Sequence, residues 1–171
     1  FLIDAAEGRR YAEQTTATVT ERAAAIRARV EQALNTRLFL VRSLVALVRS
    51  NPELTQAEFE EAAAAAAEGI DGVRSLALAR NAVATHFYPL AGNEQAIGHD
   101  LLADPNRRGA IMEVLGKRRF LIQGPVPLLQ GGVAVVGRLP VVLPDSPTAA
   151  IQATPRGRVW GLAVIIIDVE T

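Results

Sequence analysis

The first third of the chain places apolar residues at a helical period among charged ones. Residues 1–49 contain no proline and a single glycine, and they are rich in residues that favour helices. A seven-residue repeat of apolar positions runs through Val19, Ile26, Ala33, Leu40 and Leu47. The pattern predicts one helix over residues 1–49, about 70 Å long, which exceeds the diameter of a domain of this size. We therefore expect a stalk helix.

A second apolar stripe lies beside the first and needs a partner surface. It consists of Val30, Leu34, Val41, Leu44 and Val48. Between residues 38 and 48 apolar positions surround most of the helix, so this part is expected to pack on the globular core. The preceding part is expected to pair with a second copy of the chain, giving a homodimer. The predicted organisation is a stalk helix over residues 1–49 and a core over residues 50–171.

A second, shorter helix follows a proline stop. Asn51-Pro52 ends the first helix, because the residue before proline is pushed out of the α region. Thr55 and Glu58 have the spacing of a capping box, and Gly69 is placed to end the helix in a left-handed conformation.

From Val73 the period changes from helical to strand-like. A hairpin is predicted over residues 73–80 and 83–88 with a turn at Asn81-Ala82, and three more strands over residues 120–129, 133–143 and 159–169. A Gly131-Gly132 turn separates the first two of these three, and a proline-rich loop over residues 144–155 separates the last two.

One further helix interrupts the strands. Asp104-Pro105 resembles an N-cap with proline at the first helical position, and the helix should reach Lys117 with Ile111, Met112 and Leu115 on its inner side. The fold class is therefore α+β: a long stalk helix and a second helix on one face of a five-stranded antiparallel sheet, with residues 89–118 on the other face. A pocket between that segment and the sheet is the expected ligand site.

Composition restricts the possible functions. The 18 basic and 18 acidic residues give a net charge of zero, which argues against a nucleic-acid-coating role. With 50% hydrophobic residues the chain can form a sizeable core. The absence of cysteine excludes disulfides, thiolate metal sites and cysteine nucleophiles.

The two ends of the sequence suggest a larger context. The chain starts at Phe1 without a methionine or a secretory signal pattern, and the apolar run over residues 159–167 is about half the length of a membrane span. These ends suit a domain cut from between two membrane segments. An arbitrary boundary is the alternative.

No enzyme motif is present. Gly131, Gly132 and Gly137 lack the spacing of a phosphate-binding loop, and no serine lies on a strand-to-helix elbow. His86 and His99 have no spacing that enforces metal binding, so structural roles are favoured. We expect no catalytic residue, no metal and no cofactor.

Arg138 is the most informative charged residue. By strand alternation it shares a face with Ala134, Val136 and Pro140, which places a permanent cation among apolar neighbours. Such a charge needs an anionic partner, and a carboxylate of the protein is favoured over the carboxylate of a ligand. Near the end of the first hairpin, the same pocket could also be lined by Arg80, His86 and Tyr88.

A second basic group lies on and after the last helix. It consists of Arg107, Arg108 and the run Lys117-Arg118-Arg119. These residues could touch phosphates, but they lack interleaved aromatic residues, so a solvated helix end is the favoured interpretation.

An ordered series of motifs resembles the CHASE domain family. The residues that carry the resemblance are Phe87-Tyr88-Pro89-Leu90, Gly92-Asn93-Glu94, Ile97-Gly98-His99-Asp100-Leu101, Pro105-Asn106-Arg107-Arg108, Gly124-Pro125-Val126-Pro127-Leu128, Gln130-Gly131-Gly132, Arg138-Leu139-Pro140-Val141 and Trp160-Gly161. They cover about residues 70–170. The Trp-Pro and Arg-Glu signatures of the plant cytokinin-receptor members are absent.

The resemblance implies a function and a cellular location. CHASE domains are extracytoplasmic sensor regions of receptor histidine kinases, adenylate cyclases and GGDEF-type diguanylate cyclases. The expected protein has a PAS-like or Cache-like core on a stalk helix, forms a dimer, is flanked by two transmembrane helices and binds a small molecule that can be anionic. Gln130, within one of the quoted motifs, joins Arg138, Arg80, His86 and Tyr88 as a candidate ligand contact. A scaffold that binds no ligand and only dimerises through its helix is the alternative.

Overall fold

A computed structural model describes the backbone of residues 2–145 and 157–169, and the side chains of residues 19–145 and 157–169. The chain divides into two compact units, residues 1–37 and residues 38–171. Helix α1 (Leu2–Ser50) confirms the predicted long N-terminal helix.

The unit from residue 38 onward confirms the α+β class and the predicted PAS-like five-stranded antiparallel sheet. Its other elements are α2 (Gln56–Ala67), β1 (Val73–Arg80), β2 (Val83–Tyr88), α3 (Pro105–Lys117), β3 (Leu121–Pro127), β4 (Val133–Pro144) and β5 (Gly157–Asp168), with a short 3₁₀ turn at Glu94–Ala96. The strand order is β2-β1-β5-β4-β3, and all pairs are antiparallel.

One face of the sheet packs against the two N-terminal helices. The C-terminal part of α1 supplies Leu40, Val41, Leu44 and Val48, all at most 1% exposed, as predicted from the apolar pattern of residues 38–48. Helix α2 adds its own apolar residues, including Phe59. The sheet contributes Leu76, Leu78, Ala163 and Ile165 to this cluster.

The other face is covered by α3 and the segment that leads to it. Ile111 and Val114 of α3 are buried against Ala77, Ala79 and Val164 of the sheet. The prediction that Met112 lies on the inner side of α3 is wrong, because its side chain is 56% exposed. The inner positions are Ile111 and Val114, three residues apart, with Leu115 partly buried beside them.

Local sequence signals fix the ends of the elements. The Thr55 side chain accepts a hydrogen bond from the Glu58 backbone N–H, and the Glu58 carboxylate accepts from the Thr55 N–H, so the predicted capping box is confirmed. Asp104 caps α3 ahead of Pro105 as predicted. Asn81 and Ala82 adopt φ values of 52° and 65° in the hairpin turn.

The last three strands differ from their predicted bounds by one or two residues. Strand β3 is an edge strand, which accommodates Pro125 and Pro127 because one side of an edge strand needs no N–H donors. Strand β5 begins at Gly157, two residues earlier than predicted, opposite Pro144 of β4. Residues 146–155 of the predicted proline-rich loop lie outside the described residues.

In the first unit, apolar side chains of both stripes of α1 are exposed, namely Val19 and Ile26 of the seven-residue repeat and Val30 of the second stripe. Val19 is 61%, Ile26 62% and Val30 52% exposed. Within the described part of the chain, no helix is both long and apolar enough to span a bilayer.

Candidate functional site

The sheet and the segment that covers its second face enclose a cavity at the predicted position. Its free volume is about 60 Å³. Strands β1, β2, β4 and β5 form its floor, and its walls come from the loop before α3, the first turns of α3 and the β3–β4 turn.

Small side chains on the floor leave this space unfilled. Ala77 and Ala79 of β1 and Ala84 of β2, here called the alanine floor, are all buried and line the cavity. Larger apolar side chains surround them: Phe87, Val136, Val164 and Ile166. An alanine facing another buried element leaves room that a valine or leucine would occupy, so the floor creates an apolar recess.

Hydrogen bonds hold the walls against the sheet. The Gly98 N–H donates to the Ala84 carbonyl at 2.8 Å, and the Ala84 N–H donates to the His99 carbonyl at 3.0 Å. Buried Asn93 joins the two walls: its Nδ2 donates to the Pro89 carbonyl at 2.8 Å and its Oδ1 accepts from Gln130 Nε2 at 2.7 Å. The loop before α3 and the β3–β4 turn are therefore held together above the alanine floor.

Arg138 lies at the edge of the cavity and is 3% exposed. Its strand neighbours are Leu121 and Val164, and its Nη1 donates to Gln123 Oε1 at 2.9 Å. Among the described residues no carboxylate forms an ion pair with it. The salt bridge with a protein carboxylate that the sequence favoured is therefore absent from the described part of the chain. Burial, together with the positive charge of Arg107, lowers the pKa of Arg138 to about 10.

A second polar group surrounds the carboxylate of Asp104. Arg107 Nε lies 2.9 Å from Asp104 Oδ2, and His99 Nε2 lies 3.1 Å from the same oxygen. The other oxygen accepts from the Asn106 N–H at 2.9 Å. The Asn106 hydrogen bond, followed by those of Arg107 and His99, holds the pKa of Asp104 below its usual value against the opposing effect of desolvation.

Gln130 and Arg138 are the two predicted candidates that line the cavity. Sequence reasoning set aside two further lining residues, Arg107 as part of a solvated helix end and His99 as a structural histidine. The available signal was their spacing from Asp104: a cap residue with a cation three positions later can hold that cation inward through the cap carboxylate.

Arg80, His86 and Tyr88 lie on the opposite face of the sheet, so the expectation that they share the pocket of Arg138 is wrong. Arg80 forms a two-point ion pair with Glu53 at 2.6 and 2.7 Å, and its guanidinium lies 5.9 Å from the ring centre of Trp160. His86 lies 3.1 Å from the Leu54 carbonyl through Nε2 and packs against Phe59.

Strand alternation explains this placement. Tyr88 pairs with Leu76 and packs in the helix-side cluster, whereas Phe87 points into the cavity face. The alternation within each strand was correct, but relating the face of β2 to that of β4 requires the pairing register across β1 and β5, which local sequence does not contain.

The described residues contain no group of three or more His, Asp or Glu side chains arranged to hold a metal ion. The groups that line the cavity include the cations of Arg107 and Arg138, the amide of Gln130 and the apolar alanine floor. Its chemistry suits binding of a small molecule.

Comparisons with known proteins agree with this architecture. The family model described as CHASE domain matches residues 30–171. No curated protein matches the sequence. Among solved structures, the chain is similar to an extracellular ligand binding receptor from Desulfohalobium retbaense DSM5692, with a TM-score of 0.62 and 11% sequence identity over 80% of this chain. It spans 22% of that receptor chain, and at this identity the likeness concerns the fold alone. Because the family model covers most of the sequence, the chain belongs to the CHASE family of sensor domains.

Proposed function

We propose that the chain is the extracytoplasmic small-ligand sensor domain of a transmembrane receptor. The receptor's flanking membrane helices hold the domain outside the inner membrane, in the periplasm of a bacterium, and its output domain is a cytoplasmic histidine kinase or GGDEF-type diguanylate cyclase. Membership of the CHASE family supports this function. The domain itself is not an enzyme.

The observation that carries the proposal is the recess above the alanine floor. Buried alanines leave it open, while hydrogen bonds through Asn93 and Gly98 hold its walls in place. A preformed apolar recess with a few polar groups is typical of small-molecule sites.

A thermal-shift screen of the 171-residue chain against a library of neutral and charged metabolites tests this proposal. A ligand that binds only the folded state raises Tm by mass action. The stabilisation should be lost in Ala77→Leu and Ala84→Leu, each of which fills the recess. Ala65→Leu is the matched control, because it adds the same atoms at an exposed position of α2.

Stabilisation in the wild type and Ala65→Leu, but not in the two filled variants, supports the proposal. Equal stabilisation in all four proteins places the ligand elsewhere. A library that stabilises none of them favours the ligand-free scaffold.

We further propose that β5 transmits the binding event. Val164 and Ile166 line the cavity, whereas the alternate residues Ala163 and Ile165 pack on the face that holds Leu44 of α1. Ligand binding that favours one of two packings of the segment over residues 89–118 would thus change the contacts of both α1 and the end of β5 at Asp168.

A linker insertion tests this relay. In the full-length receptor, a long flexible linker inserted within residues 19–34 should abolish output and leave ligand binding intact. Normal output from such a receptor would overturn this relay.

We also propose a homodimer formed through the exposed apolar stripe of α1, which includes Val19, Ile26 and Val30. Sedimentation of the chain at rising concentration should show a dimer, and the triple change of these residues to glutamine should abolish it. A wild-type chain that stays monomeric at every concentration contradicts the dimer.

A further inference from the structure

The cavity carries an excess of positive charge. Of the described residues, three with ionisable side chains line it, His99, Arg107 and Arg138, and none of the lining residues among them is acidic. A carboxylate outside the cavity could balance either arginine, so the partners of Arg107 and Arg138 decide which positive charge remains unbalanced.

Arg107 is already neutralised. It makes an ion pair with Asp104 at 2.9 Å, and its Nη2 donates to the Pro127 carbonyl at 3.2 Å. The carboxylate of Asp104 already accepts hydrogen bonds from Arg107, His99 and the Asn106 N–H, and its ion pair is with Arg107 and not with Arg138.

Arg138 has no such partner within the described residues. A guanidinium has five N–H groups, and the side chain's one hydrogen bond goes to the neutral amide oxygen of Gln123. Glu113, which borders an adjoining cleft that Arg138 also lines, is paired with Lys117. At 3% exposure Arg138 is thus a desolvated cation with which no carboxylate of the described residues forms an ion pair.

Burying an unpaired charge destabilises a fold, whereas a planar guanidinium that faces a cavity is suited to a two-point bond with a carboxylate. We propose that the ligand is a small monocarboxylate, its carboxylate held by Arg138 and its apolar part resting on the alanine floor. This inference rests on the proposed sensor function and names the class of molecule sensed.

The free volume restricts the size of that molecule. One ordered water takes up about 10–15 Å³ of such volume, and the cavity offers about 60 Å³. The expected ligand has roughly four to six non-hydrogen atoms, as in acetate, propionate or butyrate.

Isothermal titration with matched pairs of acids and amides tests this inference. The probes are acetate, propionate and butyrate against acetamide, propionamide and butyramide, each pair being alike in shape and different in charge. The 171-residue chain should bind at least one acid about tenfold or more tighter than its amide. Arg138→Met should remove that preference, because methionine keeps an unbranched apolar stem and lacks the charge.

The control is Arg108→Met on the exposed side of α3, which removes a cation that does not line the cavity and should bind like the wild type. Circular dichroism of each variant verifies folding, and Arg138→Gln serves if Arg138→Met does not fold. Equal binding of acids and amides, or acid binding that survives both Arg138 changes, overturns the inference.

Failure of this inference is distinguishable from failure of the sensor function. If no acid binds at about 10 mM, the monocarboxylate inference is wrong. A neutral metabolite that stabilises the wild type and not Ala77→Leu would still support the sensor function.

Discussion

Arg138 Nη1 donates to Gln123 Oε1 at 2.9 Å, so the most deeply buried charge among the described residues is bonded to a neutral amide. Gln123 lies on the edge strand β3, and Arg138 on the neighbouring strand β4. This relationship leaves a cation without an ion pair among the described residues, at a buried position of the sheet that lines the cavity.

The first prediction concerns stability. Because the charge of Arg138 is desolvated without an opposite charge, Arg138→Met should leave the free energy of unfolding unchanged or raise it by about 1 kcal/mol. Urea denaturation of the ligand-free chain measures this. A loss of about 3 kcal/mol or more would indicate a broken ion pair and contradict the assignment.

The second prediction concerns the close approach of β1 and β5. A Cβ at Gly161 would lie 2.1 Å from the Ala79 carbonyl oxygen, so Gly161→Ala must push β1 and β5 apart. We expect a loss of at least about 2 kcal/mol in urea denaturation. Gly109→Ala is the control: it lies on exposed helix surface with nothing near its Cβ, and it should raise stability by about 0.5–1 kcal/mol. Equal effects of the two changes would argue against the β1–β5 pairing.

The third prediction concerns the contact that ties the loop between α1 and α2 to the sheet. Trp160 Nε1 donates to the Pro52 carbonyl at 3.1 Å, and the side chain is 4% exposed. Trp160→Phe removes the donor and keeps an aromatic ring, so it should lower stability by about 1 kcal/mol. Trp160→Ala also removes the packing and should lower it by about 3–5 kcal/mol. Matching losses in the two variants would show that the hydrogen bond, and not burial, dominates.

The fourth prediction concerns pH. Burial, assisted by the charge of Arg80, lowers the pKa of His86 below its usual 6.5, against the opposing effect of its bond to the Leu54 carbonyl. In the unfolded chain the imidazole takes up a proton as the pH falls through 6.5, and the folded chain does so only at lower pH. The His86 contribution to stability is therefore complete above pH 6.5 and declines on acidification toward the folded-state pKa.

Urea denaturation of the wild type and His86→Gln at a series of pH values measures this decline. Glutamine can still donate to the Leu54 carbonyl but cannot titrate, so its stability should fall less between neutral pH and the acid limit. His99→Gln is the control, because it makes the same change at the other of the two histidines. Parallel pH profiles for the wild type and His86→Gln would contradict the prediction.

Local signals in the sequence predicted the helices and strands, with strand ends displaced by at most two residues. The capping box at Thr55, the cap at Asp104 and the Asn81-Ala82 turn each determine an element end through contacts between residues at most four positions apart. The burial of Leu40 and Leu44 also follows from the apolar pattern of α1.

The site could be predicted only in part, because its members come together through long-range pairing. Alternation placed Arg138 on an apolar face, yet assigning His86 and Tyr88 to the opposite face required the register across four strands. Arg107 was missed because a cation near a helix start normally faces solvent. Its spacing from Asp104 was a signal for an ion pair, but the position of that pair beside the cavity depends on the tertiary fold. Met112 was predicted to be buried, but the buried stripe of α3 is narrow: it contains Ile111 and Val114 and leaves Met112 exposed.

Binding of a small carboxylate between the alanine floor and Arg138 would be visible in a crystal structure of the chain grown with the tightest-binding acid of the titration series. We expect both carboxylate oxygens within about 3 Å of the Arg138 guanidinium and the apolar part of the acid against Ala77, Ala79 and Ala84. A ligand bound elsewhere, with Arg138 still bonded only to Gln123, would contradict it.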